Sequence, residues 1–248
     1  MSKTSRHILP HWVSQNFLTS KTTIHRLVRL AGLTADDTVL EIGAGKGHIT
    51  HVLAKTCSRV ISYEIDGVLY ARLKPGLPAN VRLIHGDFLK ANLPKTPYQV
   101  FANIPFSATT AIVRKLTSSP CLPENLWLIM AKGAAKRFCG LPQESRDSLL
   151  LRPWFEARIV WHFRREDFHP VPGVDVVMLC LGRKAQPDLP RELRADFAFF
   201  LSHGLGLLTK KQVSTALKRA GLQPLAPSGD ILYIQWLCLF RYWLMLHR

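Results

Sequence analysis

The sequence predicts an α/β fold: a doubly wound, mostly parallel sheet of seven strands within residues 1–184, followed by a small helical domain over residues 185–248. Three observations carry that expectation. The apolar run Thr38-Val39-Leu40-Glu41-Ile42 enters the turn Gly43-Ala44-Gly45-Lys46-Gly47, and a helical pattern through Ile49, Val52 and Leu53 follows. Strand, glycine loop and helix make the first unit of a nucleotide-binding, Rossmann-like sheet. Further apolar runs then alternate with helical patterns, the rhythm of parallel strands joined by crossovers. Last, the segment Lys184–Pro190, with two prolines, separates this part from three helical patterns.

Taken in order, a helix over Ser20–Leu30 comes first, capped by Ser20 or Thr19 and stopped at Gly32. The glycine loop after Thr38–Ile42 then discriminates between nucleotides. A dinucleotide fingerprint, G-x-G-x-x-G, would need glycine where His48 stands; the chain has G-x-G-x-G instead. That argues against NAD and towards S-adenosylmethionine, whose aminoacyl sulfonium needs close backbone approach and no pyrophosphate cradle. A helix over Gly47–Lys55 leads to the strand Arg59–Tyr63, which ends at Glu64. A carboxylate about twenty residues past the glycine loop is placed to accept ribose hydroxyls. After a helix over Asp66–Lys74, the run Val81–Gly86 ends at Asp87-Phe88, where a carboxylate can accept an adenine amino group.

Tyr98–Ala102 then runs into Asn103-Ile104-Pro105-Phe106. An exocyclic amine on an aromatic ring is conjugated and weakly nucleophilic, so a catalyst must hold its two N–H bonds with fixed acceptors. The Asn103 amide oxygen and the Ile104 carbonyl are suited to that task. Pro105 lacks an N–H and has a locked φ, which stiffens the turn, and Phe106 offers a face for a base. Ligands of an open parallel sheet bind beyond the carboxyl ends of its strands, so Gly43, Glu64, Asp87 and Asn103 are expected around one crevice. Helices over Ser107–Leu116 and Lys132–Phe138 flank the strand Leu126–Met130; Arg158–Phe163 and Val174–Leu181 suggest a closing antiparallel pair. Glu192–Leu201, Lys210–Arg219 and Asp230–Leu246 are the three helices of the last domain.

These motifs together resemble the ribosomal RNA adenine N6-methyltransferases, the group joining the small-subunit dimethyladenosine transferases to the macrolide-resistance methyltransferases of the large-subunit RNA. The resemblance spans most of residues 12–182, through Gln15-Asn16-Phe17-Leu18, Glu41 to Gly47, Tyr63-Glu64-Ile65-Asp66, Gly86-Asp87-Phe88, Asn103 to Phe106 and Phe168-His169-Pro170-Val171-Pro172. It implies the seven-stranded sheet of the S-adenosylmethionine methyltransferases. It also implies a cofactor site formed by Gln15, Asn16, Leu18, Gly43, Gly45, Glu64, Ile65, Asp87, Phe88 and Asn103. Phe168 is expected over the second face of the target base. Ile104 and Phe106 are similar to the resistance-type motif, where the small-subunit enzymes usually show Leu and Tyr, which favours an adenine of 23S RNA over one of 16S RNA. The chain departs from the family pattern at Gly133, where relatives tend to have glutamate, and at Asp175, where serine is usual.

Composition agrees with a nucleic-acid partner. The 248 residues carry a formal net charge of +16 and a pI near 10.1, the footprint of a protein that neutralises phosphates. Residues 183–248 hold ten Lys and Arg against four Asp and Glu, so both parts of the chain are basic. Candidate phosphate contacts are Lys3, Arg6, Lys132, Lys136, Arg137, Lys210, Lys211, Lys218 and Arg219. Five cysteines without C-x-x-C spacing suit free thiols in the cytoplasm. His48 and His51 lack a third ligand at metal spacing, and the chemistry needs no metal. The first fifteen residues have no apolar core of a secretory signal, and Ile231–Leu246, interrupted by Gln235 and Arg241, is short of a membrane span. The chain is expected to act on ribosomal RNA as a cytoplasmic monomer, without an obligate protein partner. Two other classes fit the same fold: a nucleic-acid-binding factor without catalysis, and a methyltransferase of small molecules or proteins. The latter leaves the positive charge without a use.

Overall fold

The computed structural model describes residues 16–227 and 229–247. The elements follow the order β1 (Phe17–Leu18), α1 (Lys21–Leu30), β2 (Thr38–Ile42), α2 (His48–Thr56), β3 (Arg59–Glu64), α3 (Gly67–Leu73), β4 (Val81–His85), β5 (Gln99–Asn103), α4 (Thr109–Ser118) and β6 (Asn125–Ala131). After them come α5 (Lys132–Cys139), α6 (Arg146–Leu151), β7 (Phe155–His162), β8 (Phe168–His169), β9 (Val176–Arg183), α7 (Arg194–His203), α8 (Lys210–Arg219) and α9 (Tyr233–His247). The expected mixed fold with a mainly parallel seven-stranded sheet is present, in the order β4-β3-β2-β5-β6-β9-β7.

The register explains where a site must form. β2 pairs in parallel with β3 on one side, Leu40 opposite Ile61, and with β5 on the other, Leu40 opposite Val100. The chain winds outward from β2 through β3 to β4, then crosses to start the other half at β5. Between β2 and β5 the winding direction reverses, and a crevice opens at their carboxyl ends. Both strands are almost wholly buried, as expected for strands covered on two faces.

Local chemistry sets the helix starts. The Thr23 N–H donates to Ser20 Oγ at 3.3 Å, so Ser20 is the cap of α1. Asp66 caps α3, its Oδ1 accepting from Val68 N–H at 2.8 Å and Leu69 N–H at 3.0 Å. Three elements escaped the sequence reading. The helix α6 starts at a reciprocal cap in which the Ser148 N–H donates to Ser145 Oγ. The strands β1 and β8, two residues each, form a separate antiparallel ladder, Phe17 opposite His169 and Leu18 opposite Phe168.

The described residues divide into two compact units, 16–132 with 160–180, and 133–159 with the remainder from 181. This differs from a boundary at 184/185, because residues 133–159 group with the C-terminal helices. Trp154 shows the reason: it is 1% exposed, its ring meets Phe197 edge-on at 6.5 Å, and its Nε1–H donates to the Leu189 carbonyl at 2.9 Å. Phe197, Phe200 and Phe240 complete that second core. Gln235 is buried within α9 with both ends of its amide used, Oε1 accepting from Leu232 N–H and Nε2–H donating to the Gln223 carbonyl. No helix among the described residues is long and apolar enough to cross a membrane.

Candidate active site

A cleft at the β2/β5 switch point is lined by Asn16, Phe17, Gly43, Gly45, Glu64, Ile65, Asn103, Ile104, Pro105 and Phe106. Nine of these ten were expected from the sequence; Phe17 was not. Eight of them come from the ends of β2, β3 and β5 or the turns after those strands, and Asn16 and Phe17 join them from the start of the short β1 ladder.

The glycine loop is shaped by two demands. Gly45 holds φ +57°, and a Cβ there would stand 2.8 Å from Phe17 Cε1, so only glycine lets the Phe17 ring lie over the loop. Lys46 Nζ lies 5.0 Å from the centroid of that ring. The signal for Phe17 was the aromatic residue inside Gln15-Asn16-Phe17-Leu18, but only the fold shows the ring meeting Gly45.

Beneath the loop, Glu64 is 2% exposed and carries two backbone bonds, from Gly45 N–H to Oε2 at 2.7 Å and from Asp66 N–H to Oε1 at 2.9 Å. A carboxylate has about four acceptor positions, so it retains capacity for hydroxyl donors. Ile65 beside it is 49% exposed, an apolar face at the mouth of the cleft. Deeper still, Glu41 is 1% exposed, and its Oε2 accepts from Thr50 Oγ1–H at 2.7 Å and Ser62 Oγ–H at 2.6 Å. Its Oε1 is buried without a partner. Burial pushes its carboxyl up to about 7, against the lowering pull of the Ser62 and Thr50 bonds, with the nearby Glu64 charge adding a smaller upward push.

On the opposite wall, Asn103 Nδ2–H donates to the Asn16 carbonyl at 2.7 Å. That bond fixes the amide, and among the described residues no donor meets Asn103 Oδ1. The Ile104 N–H is used by the Ile129 carbonyl at 3.2 Å, which pins the turn to β6. The Pro105 carbonyl accepts from Ala108 N–H at 3.0 Å, starting the turn that carries the partly buried Phe106. Two acceptors, the Asn103 amide oxygen and the Ile104 carbonyl, thus follow one another on a rigid segment beside an accessible ring.

Other expected residues lie elsewhere. Phe168 is 2% exposed and packs edge-on against Phe163 at 5.2 Å, so in this fold it is a core residue and its ring is not open to a base. Leu18, opposite it in the ladder, is equally buried. Asp87 is not in the cleft wall; its Oδ1 accepts from Leu89 N–H at 2.8 Å and caps a short turn, while Phe88 is buried against Tyr63 at 5.7 Å. Gln15, Lys3 and Arg6 fall outside the described residues. Lys132 and Arg137, expected at phosphates, are in ion pairs with Asp175 at 3.4 Å and Asp147 at 3.0 Å. Lys136, Lys210, Lys211, Lys218 and Arg219 are exposed. The departure at Asp175 is thereby explained: it also accepts the Lys132 side chain where its own carbonyl takes the Lys132 N–H at 2.8 Å, at the start of α5. Among the described residues no three His, Cys, Asp or Glu side chains gather as a metal site.

The doubly wound sheet, with a cleft of glycine backbone, a buried carboxylate and the Asn103–Phe106 turn at its switch point, is a Rossmann-like fold of the methyltransferase type. A model of the family described as ribosomal RNA adenine dimethylase matches residues 11–224, and the chain belongs to that family, whose members are methyltransferases. It is 31% identical to an rRNA adenine N-6-methyltransferase of Bacillus licheniformis, over 96% of this chain and 88% of that one. With an rRNA methyltransferase of Streptomyces thermotolerans it shares 34% identity, over 91% of this chain and 80% of the other. Among solved structures, the 23S rRNA methyltransferase ErmE superposes with a TM-score of 0.78 at 30% identity, covering 92% of this chain and 99% of that one. A dimethyladenosine transferase from Plasmodium falciparum shares the fold, with a TM-score of 0.70 at 21% identity over 90% and 95% of the two chains.

Proposed function

We propose that this protein transfers methyl groups from S-adenosylmethionine to N6 of an adenine in 23S ribosomal RNA. The observation that carries the reading is the tethered Asn103, which lines one cleft together with Ile104 and Phe106. The cofactor fits the residues present: Gly43 and Gly45 allow backbone approach, and Glu64 has acceptor capacity for ribose hydroxyls. Ile65 offers an apolar face for its adenine. When bound, S-adenosylmethionine supplies a methyl carbon already activated by its sulfonium, and its transfer to N6 releases one proton from the amine.

The chain's own residues contribute orientation. Asn103 Oδ1 and the Ile104 carbonyl accept the two amine hydrogens and hold the nitrogen lone pair out of the ring plane. As positive charge develops on the nitrogen, both acceptors gain strength, so they favour the transition state over the ground state. Phe106 stacks on a base already unstacked from its RNA loop. The alkylated nitrogen is acidic enough to lose its proton without a dedicated base. A bulkier adenine near the peptidyl-transferase centre would confer resistance to macrolides, lincosamides and streptogramin B. Ile104 and Phe106, and the likeness to ErmE, support the large-subunit substrate. Exposed basic residues of the C-terminal helices, Lys210, Lys211, Lys218 and Arg219, are assigned to phosphates on the same reading.

The test is incubation with methyl-labelled cofactor and each ribosomal RNA separately, followed by mapping of the modified nucleotide. Label at an adenine of 23S RNA is expected. Label in 16S RNA alone would move the protein to the small-subunit branch, and no label in either would refute the reading.

A further inference from the structure

We infer a second RNA contact: a cationic groove over the outer face of β3 and β4 that grips the phosphodiester backbone of the substrate away from the target adenine. It rests on the RNA reading above and adds a surface that reading does not use.

The groove exists because one crossover lacks a helix. Between β4 and β5 the chain runs through residues 86–98, where Pro94 and Pro97 stand and only a three-residue turn, Phe88–Lys90, is helical. In a doubly wound sheet the crossover helix normally covers this face. Here β4 is the edge strand, and the face is left as a groove floored by β3 and β4 and walled by residues 90–96.

Strand alternation decides what that floor presents. Arg59 and Ile61 on β3 and Arg82 and Ile84 on β4 line the groove, with Ile61 opposite Arg82 in register. Lys90 and Lys95 come from the wall. All four cations are exposed, and none has an ion-pair partner among the described residues. The acid in the groove is Asp87, and one of its oxygens is committed to Leu89 N–H. Unpaired like charges brought together repel each other, and a groove of this kind focuses potential on a polyanion. The five residues of β4 span about 16 Å, too long for a single phosphate and suited to several consecutive ones. Ile61 and Ile84 add apolar floor for sugars between them.

The experiment compares wild type, the quadruple variant Arg59→Gln, Arg82→Gln, Lys90→Gln, Lys95→Gln, and the single Lys95→Glu. Each is titrated with a long ribosomal RNA fragment and with a short hairpin holding only the target loop, over a series of salt concentrations. Cofactor uptake by calorimetry confirms that each variant is folded. The quadruple variant is expected to bind the long fragment about tenfold or more weakly and to lose about 0.7 from the slope of log affinity against log salt per phosphate released. Its methyl transfer to the short hairpin is expected to match wild type, and Lys95→Glu to fall between the two. A quadruple variant that takes up cofactor and binds the long fragment with wild-type affinity and slope overturns the groove alone. If wild type binds no ribosomal RNA, the functional reading fails with it.

Discussion

Glu41 offers a stability prediction that can be worked through in full. Its carboxyl sits at about 7 in the folded chain against 4.5 for an unperturbed glutamate, because burial outweighs the Ser62 and Thr50 bonds. Below pH 4.5 the group is protonated in both states and contributes no pH dependence. Between 4.5 and about 7 the unfolded chain releases the proton while the native chain keeps it. The native state then binds more protons, so stability falls as pH rises, and the loss levels off above 7. A shift of that size corresponds to about 3 kcal/mol. Glu41→Gln removes the titration. Its amide oxygen can still accept from Thr50 and Ser62, and its NH2 takes the place of Oε1, which carries the proton of the native carboxyl and is likewise a buried donor without a partner, so the cost of about 1–3 kcal/mol for such a donor is largely common to both proteins. The variant should therefore be close to wild type in stability at pH 4.5 and more stable than it at pH 8. Urea unfolding of both proteins across that range measures the difference directly. A wild-type-minus-variant stability that stays constant with pH would show that Glu41 is not held protonated by its surroundings.

Three further outcomes are expected. Asn103→Ala removes an acceptor and the tether to Asn16, and should lower kcat by about a hundredfold with RNA affinity nearly unchanged; an unchanged kcat would favour a binding factor without catalysis. Gly45→Ala puts a Cβ against Phe17 in a left-handed backbone, costing about 1–2 kcal/mol in strain, and calorimetry should show cofactor uptake weakened about tenfold; uptake at wild-type strength would sink the role given to that close approach. Trp154→Phe leaves the buried Leu189 carbonyl without its donor and should cost about 1–3 kcal/mol in denaturant unfolding while leaving cofactor affinity unaltered; a variant as stable as wild type would remove that bond as a staple of the second unit.

The pattern of residues anticipated the seven strands of the main sheet and most helices, which rest on local chemistry, and, with the family resemblance supplying Asn16 and Ile65, nine of the ten residues that line the cleft. Glycines at Gly43, Gly45 and Gly47 answer to backbone angle, alternating apolar runs answer to the sheet, and Ser20 and Asp66 answer to orphan N–H groups at helix starts. Tertiary structure decided whatever depends on long-range partners. The two-residue strands Phe17–Leu18 and Phe168–His169 are too short to show periodicity and exist only because they pair with each other. Phe168, expected as a ring over the target base, is buried on that ladder, and Phe17 on the same ladder lies against Gly45. Likewise Lys132 is spent on Asp175, while Arg59, Arg82, Lys90 and Lys95, unremarkable in the chain, converge because a crossover that cannot be helical leaves one face of the sheet open. A side chain's type is written locally, but whether it meets solvent, a partner or a ligand depends on which distant segment folds against it.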